Sequence, residues 1–187
     1  MTMRYLPAAD RAATGWRNGG GVTREVAISR DDGPGVGFHW RISVADVDGD
    51  GPFSAFPGCH RVITVLRGAG MALTVDGLTR LVDHRYEPFE FDGAAPTECR
   101  LLGGPVVDLN VIHRHDQPVT VEISREAVAL GPIERAVVIA LDSPLVVRAS
   151  GARLDLRTLD AADVTAVSSL AVDGGPVAVV RLDSRTH

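Results

Sequence analysis

The feature that most restricts the fold is the rhythm of the chain, in which short β-branched and apolar runs alternate with Gly, Pro and Asp. Short runs of this kind at close spacing are typical of strands joined by tight turns. The predicted strands cover residues 22–30, 38–45, 61–67, 71–75, 78–86, 106–113, 119–124, 136–141, 145–149, 153–156 and 177–182. The segment 161–167 is the one that could instead form a short helix. So many short strands predict an all-β sandwich or barrel.

A repeated pattern indicates that the chain contains two similar units. Residues 71–77 and 145–151 share one alternation of residue types, each ends in glycine, and each is followed by another alternating run. In the first copy, Asp76-Gly77 is a strong hairpin signal. We therefore predict two tandem β units, residues 1–115 and residues 116–187, joined near residues 115–118. One compact domain with swapped terminal strands and one continuous barrel are the alternatives.

The basic residues exclude several classes of enzyme. All 19 of them are arginines, and the 187-residue chain contains no lysine. Chemistry that needs an ε-amine is therefore excluded, which removes Schiff-base catalysis and the lysine-dependent sites of kinases and phosphate-loop enzymes. The net charge of −5 and the scattered arginines also argue against a nucleic-acid partner.

The remaining composition predicts a soluble protein of the cytoplasm. Hydrophobic residues make up 45% of the chain and charged residues 23%, which are ordinary values for a globular protein. The longest strictly apolar run, residues 136–141, is too short to cross a bilayer, and no secretory signal pattern is visible near residue 1. Two cysteines fit a reducing compartment. We expect no membrane partner, and the sequence is compatible with a homodimer.

The histidine and cysteine patterns predict neither a metal site nor a nucleophile. His113 and His115 lie two residues apart, which places both on one face of a strand, as for many metal ligands. A β-barrel metal site would add a glutamate three or four residues later, whereas Glu122 lies too far along the chain. Cys59 and His60 are adjacent, so in a strand they point to opposite faces and cannot easily form a thiol–imidazole pair. We expect no metal, no cofactor and no catalytic residue.

Polar side chains at every second position of apolar strands are more informative. Arg41 and Ser43 share one face of a predicted strand. Asp108 and Asn110 share a face of another, and Arg61 begins a third. These faces are either wetted by solvent, as in a one-sided sheet, or they line a barrel cavity. In a cavity, two arginines beside these polar groups suit a small ligand that carries carboxylates.

A run of three glycines precedes the first long predicted strand. It follows Asn18 and occupies positions 19–21. Glycine permits positive φ and close approach of the backbone, so a ligand-binding loop and a tight turn are both compatible with the run. It is not a phosphate loop, because it leads into a strand and lacks the lysine. Under the cavity hypothesis we expect Asn18, Gly19 and Gly20 at the cavity mouth.

Several motifs follow one another along the first part of the chain. They are Trp16-x-Asn18-Gly-Gly-Gly-x-Thr23-Arg-Glu25, Phe38-x-Trp40-Arg-Ile-Ser43-x-Ala45, Gly51-Pro-Phe-Ser54-x-Phe-Pro-Gly58-x-x-Arg61, Pro88-Phe-x-Phe91-x-Gly93, Cys99-x-Leu101 and Gly104-Pro-Val-x-Asp108-Leu-Asn110-Val111. In this order they resemble the HutD/Ves family over nearly the whole chain. Beyond about residue 115 the resemblance is one of pattern.

The resemblance implies a bicupin-like fold, with two tandem β-barrel or jelly-roll units and without the usual cupin metal ligands. It also implies a cytoplasmic protein of histidine utilisation with a pocket for a small pathway metabolite, which the polar residues above identify as a small organic acid. The expected ligand-binding residues are Asn18, Gly19, Gly20, Arg41, Ser43, Arg61, Asp108 and Asn110.

Two functions are consistent with this set of residues. The first is a non-catalytic protein that senses or buffers a histidine-degradation intermediate, such as urocanate, formiminoglutamate or formylglutamate, and so modulates histidine utilisation. The second is a metal-free cupin-like enzyme that acts on a small carboxylate or sugar derivative. The sequence favours the first, because no nucleophile, ligand triad or carboxylate pair stands out.

Overall fold

The structure, a computed structural model, describes residues 2–33 and 35–183. The described residues form nineteen strands and one 3₁₀ helix, Ala8–Asp10. In chain order the strands are β1 (Thr2–Leu6), β2 (Ala13–Gly15), β3 (Gly21–Arg30), β4 (Phe38–Val47), β5 (Gly51–Pro52), β6 (Cys59–Arg67), β7 (Met71–Val75), β8 (Leu78–Val82), β9 (Pro88–Asp92), β10 (Thr97–Leu101), β11 (Val106–Arg114), β12 (Val119–Ser124), β13 (Val128–Leu130), β14 (Ile133–Ala140), β15 (Leu145–Ala149), β16 (Ala152–Leu156), β17 (Ala161–Val167), β18 (Leu170–Asp173) and β19 (Val177–Leu182). Over this part of the chain no helix has the length and apolarity to cross a membrane. The predicted all-β fold is confirmed.

The chain divides into two compact units that differ from the predicted ones at the amino-terminal end. One unit is Ala12–His115, and the other combines the residues up to Arg11 with those from Asp116 onward. We predicted that residues 1–115 form the first unit. Instead β1 pairs antiparallel with β17 and completes a sheet of the other unit, which is a swapped terminal strand. Residue 1 and residues 184–187 of the predicted units lie outside the described residues.

The unit Ala12–His115 is a sandwich of two antiparallel sheets. The larger sheet has the strand order β2-β3-β4-β11-β6-β9, and the smaller has the order β5-β10-β7-β8. Side chains of both sheets form its core, among them the fully buried Ile63 and Val65 of β6 and Met71 and Leu73 of β7. Because successive residues of a strand point to opposite faces, the alternating apolar positions supply this core.

The other unit repeats the sandwich. Its sheets have the strand orders β1-β17-β14-β19-β12 and β13-β18-β15-β16, around a separate apolar core. The hairpin β15–β16 corresponds to the hairpin β7–β8, because each turn has a non-glycine residue with positive φ before a glycine. These residues are Asp76 at 48° and Ser150 at 47°. Positive φ at both central residues is the geometry of a type I′ hairpin turn. The repeat seen in residues 71–77 and 145–151 is therefore structural.

Two predicted elements need correction. Residues 161–167, which could have formed a short helix, are strand β17, paired with β1 on one edge and β14 on the other. Ala161, Ala162 and Val164 are fully buried, and a strand buried on both faces shows no polar alternation that would reveal it. The strand predicted over residues 78–86 ends at Val82. Beyond it the chain turns, with Tyr86 in the left-handed region at a φ of 70°.

Asp160 attaches the amino-terminal segment to its unit. The carboxylate accepts hydrogen bonds from Tyr5 Oη at 2.6 Å, from the Ala8 backbone N–H at 2.7 Å and from the Arg157 backbone N–H at 2.9 Å. Burial opposes ionisation of this carboxyl group, but the hydrogen bonds donated by Ala8, Tyr5 and Arg157 prevail and lower the pKa of Asp160.

We expect Asp160→Asn to destabilise the protein by about 1–2 kcal/mol at pH 7. The amide carries no charge, and its NH₂ group would face the Tyr5, Ala8 or Arg157 donors, which need an acceptor. The pKa of Asp160 is lower in the folded than in the unfolded chain. Its stabilisation is therefore present above about pH 4 and is lost as the pH falls further. Thermal unfolding between pH 7 and pH 3 should show a Tm difference from wild type that shrinks in acid. The exposed Asp155, paired with Arg153, provides the control, and Asp155→Asn should leave Tm unchanged.

Candidate functional site

Three neighbouring strands bring the predicted polar residues to one face of the larger sheet. Strand β11 lies between β4 and β6, and the register places Ile112 opposite both Arg41 and Arg61. In the same way Ser43 of β4 lies opposite Asn110 of β11. Residues paired across neighbouring strands point to the same face. The four polar side chains therefore come together.

This face forms one wall of a cavity of about 450 Å³. Residues 14–18 and 52–54, together with Phe56, form most of the remaining wall. The lining consists of Thr14, Gly15, Trp16, Arg17, Asn18, Thr23, Arg41, Ser43, Pro52, Phe53, Ser54, Phe56, Arg61, Asn110 and Ile112. Three of these are arginines, and none of the described residues that line the cavity is Asp, Glu, His or Cys. The volume suits a small metabolite.

Arg61 is the most buried of the three arginines, with 5% of its surface exposed. Its guanidinium carbon lies 4.5 Å from the centre of the Phe53 ring and 5.7 Å from that of Phe91. Arg61 Nε donates a hydrogen bond to Asn110 Oδ1 at 2.9 Å. Burial lowers the pKa of Arg61 to about 10, against the opposing effect of Asp108. The guanidinium therefore remains charged at neutral pH and is held by aromatic faces on one side.

Asp108 lies beyond Asn110 and outside the cavity lining. Asn110 Nδ2 donates to Asp108 Oδ1 at 3.3 Å, so Asn110 connects the carboxyl group to Arg61. Burial raises the pKa of Asp108 to about 6, although the charge of Arg61 and the hydrogen bond from Asn110 favour the ionised form. Asp108 is one of the predicted ligand-binding residues. Its side chain faces the same side of the sheet as Asn110, is fully buried, and is not among those that line the cavity.

Arg41 is held by an acid of the adjacent strand β3. Its Nε lies 3.5 Å from Glu25 Oε2, and Arg30 Nη2 lies 3.7 Å from Oε1 of the same carboxylate. Within the described residues Arg41 Nε is buried and has no hydrogen-bond partner. Arg41 Nε therefore contacts Glu25 through charge and without a hydrogen bond.

Aromatic residues form the apolar part of the wall. The Trp16 and Phe53 rings meet edge to face, with 5.7 Å between their centres, and Trp16 Nε1 donates to Thr23 Oγ1 at 2.8 Å. Sequence reasoning did not select Trp16, Thr23, Phe53 or Phe56 as site residues, although all four lie within the family motifs. Alternation inside strands identifies a face of a sheet, and three of these residues lie outside strands.

The triple glycine run forms a tight turn, and only its preceding residue lines the cavity. Asn18 Oδ1 accepts a hydrogen bond from Gly20 N, and Gly20 O accepts one from Asp48 N at 2.9 Å. Gly19 and Gly20, two of the predicted ligand-binding residues, lie in this turn and are not among the residues that line the cavity. At position 21 a Cβ would lie 2.4 Å from Asp46 O, so glycine is required there by strand packing.

The histidines and cysteines considered in the sequence analysis lie outside the cavity lining. His113 faces His60 across β11 and β6, with 5.4 Å between ring centres, and His115 lies beyond the end of β11 with its ring centre 4.4 Å from that of His60. The described residues contain no group of three or more His, Cys, Asp or Glu arranged to hold a metal ion. Cys59 and Cys99 are free and buried, and burial raises the pKa of Cys99 to about 12, so its thiol is not ionised at neutral pH.

Comparison with solved structures identifies the fold. A cupin 2 conserved barrel domain protein from Leptotrichia buccalis matches 95% of this chain and 100% of its own, with a TM-score of 0.58 and 10% identity, which shows the fold alone. The two β sandwiches thus have an all-β, cupin-like fold. A sequence model described as HutD matches residues 8–177. The chain belongs to the HutD family.

Individual relatives agree with this assignment. A Pseudomonas putida protein described as "uncharacterized 21.2 kDa protein in hutC 3′ region" is 45% identical over 112 residues, 59% of this chain and 58% of its own. Protein Ves of Citrobacter koseri is 38% identical over 121 residues, 62% of this chain and 60% of its own. Both matches span less than two thirds of the relative. The solved structure of HutD from Pseudomonas fluorescens SBW25 is 32% identical and covers 99% of this chain and 100% of its own, with a TM-score of 0.86.

Proposed function

We propose that this protein binds a small organic acid in the arginine-lined cavity without transforming it. The observation that carries the proposal is a lining with three arginines, neutral hydrogen-bonding groups and aromatic rings. The net charge of −5 attracts anions poorly at long range, so recognition depends on short contacts inside the cavity. One charge-assisted hydrogen bond there contributes about 1.5–3 kcal/mol, roughly ten- to a hundredfold in affinity.

The proposed ligand is an intermediate of histidine degradation, and the proposed role is to sense or buffer it in the cytoplasm. Support comes from the names of the similar proteins, one of them HutD and another encoded in a hutC 3′ region. Urocanate carries one carboxylate, and formiminoglutamate and formylglutamate carry two each, which are groups that arginine side chains bind. The two free, buried cysteines agree with a reducing compartment.

Binding is favoured over catalysis by the chemistry of the wall. A metal-free enzyme that moves protons needs a group that exchanges them where it touches the substrate. Among the described residues the titratable side chains of the lining are arginines, which stay protonated at neutral pH. Asp108, whose pKa lies near neutrality, is separated from the cavity by Asn110.

The direct test is calorimetric titration of the wild-type protein with urocanate, formiminoglutamate and formylglutamate at pH 7. We expect at least one of them to bind with a Kd below about 1 mM. Imidazole and the dimethyl ester of formylglutamate are matched probes that lack the carboxylates, and they should not bind.

Two results would contradict the proposal. Absence of binding for all three acids would show that the cavity is not a carboxylate site for this pathway. Proton NMR of the same mixtures over several hours detects turnover, and formation of a product would support the enzyme alternative.

A further inference from the structure

Asp108 is a buried acid for which the proposed binding function has no direct use. Its side chain is fully buried on β11, and among the described residues its Oδ2 has no hydrogen-bond partner. A buried carboxylate with an unpaired oxygen is costly, whereas the protonated group needs much less stabilisation. Asp108 can therefore be either protonated or ionised, and hydrogen bonds through Asn110 connect it to Arg61 in the cavity wall.

Several charged and titratable side chains from the neighbouring strands surround Asp108. Arg61 of β6 is the cation that favours its ionised form, and Asn110 holds Arg61 Nε and Asp108 Oδ1 at its two ends. The further titratable groups around this pair are Cys99 of β10, Asp46 and Arg41 of β4, Glu25 of β3, which pairs with Arg41, and Asp50 after β4. Arg61 lines the cavity and also favours the ionised form of Asp108. A ligand in the cavity would therefore affect Asp108 most directly through Arg61.

We propose that binding of an anion in the cavity is coupled to uptake of one proton by Asp108, through Arg61 and Asn110. The inference rests on the proposed binding function and adds to it a dependence on pH. In the empty protein the guanidinium serves as the counter-ion of Asp108. When a ligand carboxylate pairs with the same guanidinium, its negative charge opposes that of Asp108, and a proton from solvent binds to the Asp108 carboxylate.

The coupling is reciprocal, because a ligand that promotes proton binding must bind better when the proton is present. Below pH 6 Asp108 is largely neutral and Arg61 is fully available to the ligand. Above pH 7 the ionised Asp108 competes for Arg61. If the ligand raises the proton affinity of Asp108 tenfold, the low end of the effect of a neighbouring charge, affinity falls about fivefold from pH 6 to pH 8.

The test is calorimetry of formylglutamate binding at pH 7 in three buffers with different ionisation enthalpies. The carboxyl groups of this probe titrate near pH 4, so the ligand itself contributes no proton exchange. We expect a slope corresponding to uptake of about 0.4 proton per ligand bound, together with the fivefold change in Kd between pH 6 and pH 8.

Asp108→Asn removes the titrating group and should bind formylglutamate with no buffer dependence. Glu98→Gln, an exposed acid-to-amide change on β10, is the matched control and should keep the wild-type slope. His60→Gln should also keep it, which excludes His60 as the source. Should Asp108→Asn fail to fold, infrared difference spectra of wild-type protein report the same event, as a new protonated-carboxyl band on addition of formylglutamate.

The outcomes separate the two proposals. Binding with no buffer dependence, no change with pH and no new carboxyl band would overturn the coupling and leave the binding function intact. A slope that persists in Asp108→Asn would also overturn the coupling, since the proton would then bind elsewhere. If neither formylglutamate nor the other two acids bind, both proposals are wrong.

Discussion

Arg61→Ala should abolish measurable binding of small carboxylates, a loss of a hundredfold or more for a ligand that pairs with the guanidinium. The change removes a buried, charge-assisted donor that Phe53 and Asn110 hold in position. Arg61→Lys keeps the charge but loses the planar fork and the Nε contact, so it should still lose most of the affinity. Calorimetry with the three acids, and with Arg100→Ala as an exposed control on β10, measures both effects.

The same substitution should also lower stability. Removing Arg61 leaves the buried Asp108 without the nearby cation that favours its ionised form, and an uncompensated buried charge costs about 3–5 kcal/mol. The penalty should shrink below pH 6, where Asp108 binds a proton. The double variant Arg61→Ala, Asp108→Asn should recover stability without recovering binding. If Arg61→Ala binds formylglutamate as well as wild type does, the assigned site is wrong.

Gly21→Ala should be among the most damaging single-methyl additions in the unit Ala12–His115. The new Cβ would lie 2.4 Å from the backbone oxygen of Asp46 and 3.2 Å from the Trp16 ring, and a strand paired on both edges has little freedom to move. We expect a loss of about 2–3 kcal/mol, seen as a Tm lower by roughly 5–10 °C. Weaker ligand binding should accompany it, because Trp16 is part of the cavity wall.

Gly15→Ala is the matched control for this prediction. Gly15 lies on the neighbouring strand β2, and a Cβ built there meets no described atom within 4 Å. Its Tm should stay close to that of wild type. Equal Tm values for Gly21→Ala and Gly15→Ala would show that the close approach to Asp46 has no energetic consequence.

The alternation of polar and apolar residues within a strand can be seen in the sequence alone, and it predicts which side chains of the site share a face. The shared face of Arg41 and Ser43 follows from their spacing alone, and so does that of Asp108 and Asn110. The hairpin at Asp76-Gly77 likewise follows from turn chemistry that involves neighbouring residues only.

The sequence pattern does not show how deeply a side chain is buried, or which residues from distant parts of the chain lie beside it. Asp108 and Asn110 have the same facing, yet only Asn110 reaches the cavity, since burial depends on how the second sheet covers the first. The positions of Trp16 and Phe53 are set by turns packed against distant strands. The requirement for glycine at position 21 is likewise imposed by Asp46, a residue of another strand.

The pairing of β1 with β17 has a consequence for biosynthesis. Arg4 and Asp163, which form an ion pair between these strands, are 159 positions apart, so β1 is synthesised long before its partner strand exists. Residues Ala12–His115 contain both of their sheets and can fold during that interval. A fragment that starts at Asp116 would lack β1 and would have an open edge at β17, exposed to pairing with other chains.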